Sequence, residues 1–405
     1  MRAIANTAFS PVRFEWSGVR LSPPARLFVS AVLVLLAIGL VAVLSASSYR
    51  AGIRYGDPTT LLVKQCLGAA LGGLALVLAM HLRPEFWLRL SPVFFGVTLA
   101  ALAATYGGIG LERNDARRWI NLGGFVLQPT ELAKLAIPLL FAWLFHKYPF
   151  LHWDARQFRS SVLHGSVWQI RWRAERWQRL ALRSAQLGIL ALVVGLIAKQ
   201  PDYGSAFFVL TSGLLMLLLT RLPWPYLVAG FTACVPAAIW LYNERKAELT
   251  QRLDGLLNPE RVDQVYHSLL AIGSGGWFGK GVGLGDEKRL FLPEEYNDFI
   301  FSVFAEETGF IGVCVLVLLF SILLQSGWRI VRECPHPALR LLGFALVVNL
   351  VAQAVVNIAV ATASAPTKGI GLPFISHGSS SLCVMLLEVG ILLSIARVRV
   401  ARDAK

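Results

Sequence analysis

The sequence predicts an all-α polytopic membrane protein with about ten transmembrane helices, and three observations carry that prediction. Of 405 residues, 56% are hydrophobic and only 15% are charged, and the mean hydropathy is +0.59; soluble domains carry about 25% charge. Apolar runs of about 20 residues, long enough to cross about 30 Å of hydrocarbon as a helix, recur along the chain. The segments between them are short, apart from two that are rich in charge, glycine or tryptophan. No internal repeat or separate soluble unit is legible, so residues 1–405 read as one membrane domain.

The first run, 27–48, has too long an apolar core for a cleavable signal and reads as the first span. Further spans are expected at 61–81, 88–106, 130–146, 184–199, 204–220, 223–242, 299–325, 338–361 and 380–396. An even number places both termini on one side. Lys and Arg are more frequent on that side, so the tails 1–26 and 397–405 are expected in the cytoplasm. A formal charge of +14 also suits nucleic acid, but the inner cations flank spans and face an anionic leaflet, so nucleic-acid binding is excluded as a function. Cys66, Cys234, Cys314, Cys334 and Cys383 lack paired spacing, which argues against a disulfide framework or a zinc site.

Two long loops interrupt the pattern. Segment 147–183 is expected in the cytoplasm. Its Arg171, Arg173, Arg176 and Arg179 interleave with Trp168, Trp172 and Trp177, a mixture that suits either a helix in the headgroup layer or a solvated basic loop. Segment 243–298, between the seventh and eighth spans, is expected to be a large extracytoplasmic loop. It joins a charged stretch to a glycine-dense one, SLLAIGSGGWFGKGVGLG, and then to FLPEEYND. Long loops of mixed character inside compact domains are usually functional.

Ionisable groups at membrane depth need a partner or a role. Four clusters stand out on the expected outer side. In the first, Glu131 and Lys134 are spaced to pair along a helix, while Arg117 and Arg118 can fork onto a phosphate or anchor at the interface. In the second, Asp202 of QPDYGS reads as a helix N-cap. The third holds Glu294, Glu295 and Asp298 at a membrane re-entry point, where a carboxylate serves as a proton acceptor or a cap, with Glu306 and Glu307 about two turns deeper. The fourth combines Lys368 with Ser376 and His377 in an irregular Gly- and Pro-rich stretch; such backbone is tolerated in the bilayer only when covered by protein or lining a wet cavity. These groups suit transfer from a lipid diphosphate and equally suit an anion transporter.

The order of motifs narrows the choice. ARRWINLGGFVLQPTELAKL, QPDYGSA, SLLAIGSGGWFGKGVG, LPEEYNDFIFSVFAEETGFIG and GIGLPFISHGSSSL resemble, in sequence order, the signatures of the SEDS family of cell-wall polymerases. Lys288 after Gly283-Leu284-Gly285, and Thr367-Lys368-Gly369, resemble FtsW-like members more than RodA-like ones.

That resemblance implies the SEDS fold and a peptidoglycan glycosyltransferase that polymerises lipid II into glycan strands, releasing undecaprenyl diphosphate. Asp298 falls on the family's catalytic aspartate. Arg117, Arg118, Lys134, Glu131, Asp202, Lys368, Ser376 and His377 are the expected substrate-binding residues. A divalent cation, Mg2+ or Mn2+, and no organic cofactor are implied. The implied partners are lipid II, the nascent strand, a class B penicillin-binding protein and other divisome proteins, at the division septum in the cytoplasmic membrane. A RodA-like elongation polymerase and a lipid II flippase are the alternatives. Tyr296-Asn297 and His377-Gly378-Ser379 depart from the family's usual His-Thr and Tyr-Gly-Gly, a difference that bears on acceptor contacts.

Overall fold

The structure is a computed structural model and describes residues 14–16, 21–107, 110–113, 116–123, 125–148, 167–220, 228, 232, 250, 256–287, 295–367 and 369–400. Its helices are α1 (Pro23–Tyr55), α2 (Thr60–His81), α3 (Pro84–Ala104), α4 (Pro129–Lys147), α5 (Val167–Lys199), α6 (Tyr203–Leu219), α7 (Asp263–Ser274), α8 (Ile300–Glu333), α9 (Pro337–Ala361) and α10 (Ser379–Ile395). Proline opens α1, α3, α4 and α9; at that position its missing N–H costs nothing and its fixed φ is already helical. The first helix continues past its apolar run until Gly56, whose φ of 75° turns the chain and returns its N–H to the Gly52 carbonyl.

Among the described residues, six helical stretches are long and apolar enough to cross a membrane: α1, α2, α3, Leu180–Lys199 within α5, α8 and α9. Shorter apolar helices are α6 and α10, and α4 carries Glu131 and Lys134 within its length. The expected span 223–242 lies outside the described residues, apart from 228 and 232. The basic segment differs from expectation: Val167–Lys199 is one helix, so from 167 onward this segment is continuous with a span and is neither a loop nor a separate helix lying flat.

Two small sheets correct the all-α expectation. β1 (Phe14–Trp16) pairs antiparallel with β5 (Val398–Val400), which brings the two tails to one end of the bundle. Between α3 and α4, β2 (Gly110–Arg113), β3 (Ala116–Leu122) and β4 (Phe125–Leu127) form an antiparallel meander. Strands of three to seven residues offer too few alternations for periodicity to separate them from loop.

Helix α4 sits at the centre, buried along nearly its whole length from Pro129 to Leu144 and packed by α3, α5, α6, α9 and α10. Glu131 and Lys134 therefore meet protein and not lipid. Outward faces of α1, α2 and α8 are apolar, with Leu33, Leu67, Leu74 and Leu318 exposed, as a hydrocarbon solvent requires.

The α2–α10 seam is closed by small residues. A Cβ on Gly68 would lie 2.8 Å from the Ser379 Cα, and one on Gly390 would lie 2.6 Å from the Leu76 carbonyl oxygen. In a bilayer, helices gain most from this kind of close backbone approach. Gly68→Leu is expected to force the seam apart and lower stability by about 1–3 kcal/mol. The check is the thermal unfolding midpoint in a fixed detergent, with Gly73→Leu, which has open space around its Cβ, remaining near wild type.

Candidate functional site

Asp298 stands in the turn that leads into α8, half-buried. It is not a side-chain cap: Phe299 occupies the N-cap position, without a capping bond. What fixes Asp298 is the backbone on either side. The Asn357 Nδ2 of α9 donates to the Asp298 carbonyl at 2.9 Å and to the Ile370 carbonyl at 2.8 Å. One residue earlier, the Asn297 carbonyl accepts from Ser376 Oγ at 2.6 Å, and that hydroxyl accepts from the Leu372 N–H at 2.6 Å. His377 N–H donates to the Tyr296 carbonyl at 2.9 Å, and the two rings meet edge to face at 5.7 Å.

The irregular stretch between α9 and α10 is thus stitched to the turn that carries Asp298. Gln65 of α2 holds the stretch from behind, donating to the Ser376 carbonyl and accepting from the Gly378 N–H. Gly369 faces the carboxylate: a Cβ there would lie 3.7 Å from Asp298 Oδ2. Phe374 takes a left-handed φ of 66°, an unfavourable conformation for a non-glycine residue, which seats its carbonyl against Gly39 of α1. Ser376 and His377 therefore act in this geometry as positioning residues. Lys368 and Glu294 lie outside the described residues.

Asn357→Ala is expected to leave both carbonyls without that donor, at a cost of about 1–3 kcal/mol for each group that stays dry. Comparing thermal midpoints of Asn357→Ala and Asn357→Gln checks it; the Ala variant should fall further.

Glu295, Glu306 and Glu307, the further acidic residues around the entry to α8, each hold partners of their own. Glu295, fully buried, pairs with Arg50 of α1 at 2.8 Å. Glu295 thus serves neither as a proton acceptor nor as a helix cap: its burial calls for a cation, and Arg50 supplies it. Glu306 accepts from Lys280 Nζ at 2.8 Å and from the Asp286 N–H at 2.9 Å. The contact with Glu306 holds the Lys280 ammonium above the ordinary lysine range. Glu307 accepts from Ser45 Oγ at 2.5 Å.

Among the described residues, no three His, Cys, Asp or Glu gather to hold a metal ion. Mg2+ is held by one or two carboxylates together with waters and substrate phosphates and not by an all-protein cage, so the Asp298 carboxylate would suit such an ion beside a bound diphosphate.

The second region of the site lies at the same end of the bundle. Arg118 is the extra residue where the β2–β3 register shifts between Leu111 and Glu112, and a bulge of this kind re-aims a side chain. Its Nε and Nη2 donate to the Gln200 and Pro201 carbonyls at 3.0 and 2.7 Å. Arg118 is therefore committed in part to holding the turn before α6, and Arg117 is the more exposed of the two. Asp202 caps α6, its Oδ1 accepting from the Ser205 N–H at 3.1 Å, and it also meets Gln128 Nε2 at 3.4 Å. The N-terminus of α10 joins the two regions: Ser380 Oγ accepts from the Gln128 N–H, and Ser381 Oγ donates to Glu131.

Glu131 and Lys134, expected to contact substrate, lie behind this surface. Lys134 is 3% exposed and Glu131 6%. Lys134 Nζ lies 2.7 Å from Glu131 Oε1 and 3.1 Å from Gln353 Oε1. Asn349 bridges the Lys134 carbonyl to Glu388 Oε1. An ammonium at membrane depth takes the nearest acceptors, and the pair braces the wall of the site.

Asn349, Gln353, Asn357 and Gln65 are functional-site residues that the sequence reading passed over. The signal was present: amides at 349, 353 and 357 recur every four residues along one face of an apolar span.

With this geometry in place, comparison with known proteins is decisive for the family. Residues 25–400 match the FtsW/RodA/SpoVE family, described as cell cycle protein. The chain belongs to this family. A probable peptidoglycan glycosyltransferase FtsW from Trichlorobacter lovleyi is 33% identical over 371 residues, which cover 90% of this chain and 91% of that one. Among solved structures, RodA of Thermus thermophilus, a rod shape determining protein, superposes with a TM-score of 0.62 at 29% identity, covering 93% of this chain and 97% of that one. A chain from a peptidoglycan synthase complex, solved for the structural coordination of polymerization and crosslinking, gives a TM-score of 0.68 at 28% identity, covering 91% of this chain and 96% of that one. The FtsW/RodA/SpoVE family thus accounts for the mostly helical, multi-pass membrane fold.

Proposed function

We propose that this chain is a peptidoglycan glycosyltransferase that polymerises lipid II into glycan strands with release of undecaprenyl diphosphate. The reading rests above all on the Asp298 carboxylate, which is half-buried and borne on a turn whose backbone is fixed by Asn357, Ser376 and His377. A carboxylate held in that way can receive a proton without the site rearranging.

In the reaction, Asp298 takes the proton of the GlcNAc 4-hydroxyl of one lipid II. That oxygen bonds to the anomeric carbon of the MurNAc at the lipid-linked end of the growing strand, and the bond from that carbon to the diphosphate breaks with inversion. Charge develops on the departing diphosphate, and Arg117, the remaining N–H groups of Arg118, and Lys368 offset it. Donors aimed at such charge contribute about 3 kcal/mol each in favourable cases. Lys64 and Arg54, which flank the Tyr55 ring at 5.1 and 5.6 Å, add positive charge at the same end of the bundle.

The site end is assigned to the extracytoplasmic side, with both tails in the cytoplasm. The FtsW-named relative supports a septal role in cell division, and the neighbour from a peptidoglycan synthase complex supports a class B penicillin-binding protein as partner. The test is to reconstitute the purified chain with fluorescent lipid II in liposomes. Muramidase-sensitive glycan ladders are expected. Movement of lipid II between leaflets without any polymer would identify a flippase and refute the proposal.

A further inference from the structure

α8 is broken one turn after its buried carboxylates. Gly309, at φ 66° and ψ −168°, takes the helix out of register, which frees backbone groups at the point where the apolar part of the span begins. The glycine-dense loop after α7 fills the break. Lys280 and Gly281 N–H groups donate to the Glu306 and Glu307 carbonyls, both at 3.0 Å, while Phe310 and Ile311 N–H groups donate to the Gly276 and Trp277 carbonyls at 2.9 and 3.2 Å. Glycine is required for so close an approach: a Cβ on Gly279 would lie 2.1 Å from the Glu307 oxygen. The loop is thus knitted onto a membrane-spanning helix as part of its backbone bonding, the condition for irregular backbone at membrane depth.

Its side chains divide by character. Lys280 reaches inward to the buried Glu306 and outward to the exposed Asp286. Trp277 is 68% exposed, Phe278 83%, Val282 59% and Leu284 61%. The Trp277 ring meets Phe310 edge to face at 5.2 Å, and Phe310 itself is exposed on the outward face of α8, two turns before the exposed Val317 on the same side of the helix.

We infer that the tip of this loop, 277–284, dips into the lipid of the leaflet at the Asp298 end of the bundle. Trp277 sits at the headgroup boundary and Phe278, Val282 and Leu284 meet acyl chains. Through its contact with Phe310, the exposed Trp277 ring continues the lipid-facing surface of α8, which favours lipid over a protein partner. Burying apolar area in this way anchors an interfacial segment, and aromatic rings concentrate at that depth. The anchor holds the first turns of α8 at a fixed depth.

The experiment is collision spectroscopy on the full-length chain with its five cysteines replaced by Ser, in nanodiscs of phosphatidylethanolamine and phosphatidylglycerol. A nitroxide is placed at Phe278→Cys, at Val282→Cys as a second site, and at Asp286→Cys as the water-facing reference. Thermal midpoints confirm folding. At 278 and 282, oxygen collisions are expected to exceed those of a nickel chelate, with nickel collisions several-fold fewer than at 286. Nickel access equal to that at 286 would mean the loop stands in water, and exclusion of both quenchers would mean protein covers it. Either result overturns the inference.

Discussion

Lys134→Met is expected to lower stability by about 3–5 kcal/mol, because it removes the cation and leaves the Glu131 carboxylate buried without compensation. The setting is severe. Lys134 is bonded to Glu131 at 2.7 Å and to Gln353 at 3.1 Å, α4 is enclosed by its neighbouring helices, and Glu388 is a second buried carboxylate linked through Asn349 to the Lys134 carbonyl. The double variant Glu131→Leu/Lys134→Met should recover most of the loss, since replacing a whole buried pair by apolar groups of similar volume is often neutral. Thermal midpoints of the three proteins in one detergent decide it. A single variant as stable as wild type would show that the pair does not brace the bundle.

The spans were legible because hydrocarbon selects for unbroken apolar runs, and α1, α2, α8 and α9 all rise around the positions where such runs occur. Pairings within one helix turn were legible as well: Glu131 with Lys134, and Asp202 as the cap of α6, follow from spacing and from the order Pro-Asp-Tyr-Gly-Ser. The missing parts depend on contacts between residues far apart in the chain. Nothing near Glu295 in sequence announces Arg50, and nothing near Asp298 announces Asn357, 59 residues away. The role of Arg118 turned on a bulge in a short meander that periodicity cannot detect. Gly309 and the loop that repairs its break were hidden for a similar reason, since a glycine inside an apolar run normally continues the helix at a modest cost.

Asp298 carries the central claim, and Asp298→Asn tests it with little change in shape. The Asn357 contact is to the backbone carbonyl of residue 298, and the Ser376 contact is to the carbonyl of 297, so neither depends on the carboxylate. Because Asn keeps the shape of Asp and its capacity to accept a hydrogen bond, the substitution should leave insertion and the thermal midpoint near wild type while removing the group that accepts the hydroxyl proton. General-base contributions of this type amount to about 10²–10⁴ in rate. The deciding measurement is the initial rate of glycan formation from lipid II by the purified Asn variant, set against wild type at equal amounts of folded protein. A fall of about 10²-fold or more, with an unchanged midpoint, is the predicted result; polymerisation at the wild-type rate would contradict it and remove Asp298 from the chemistry.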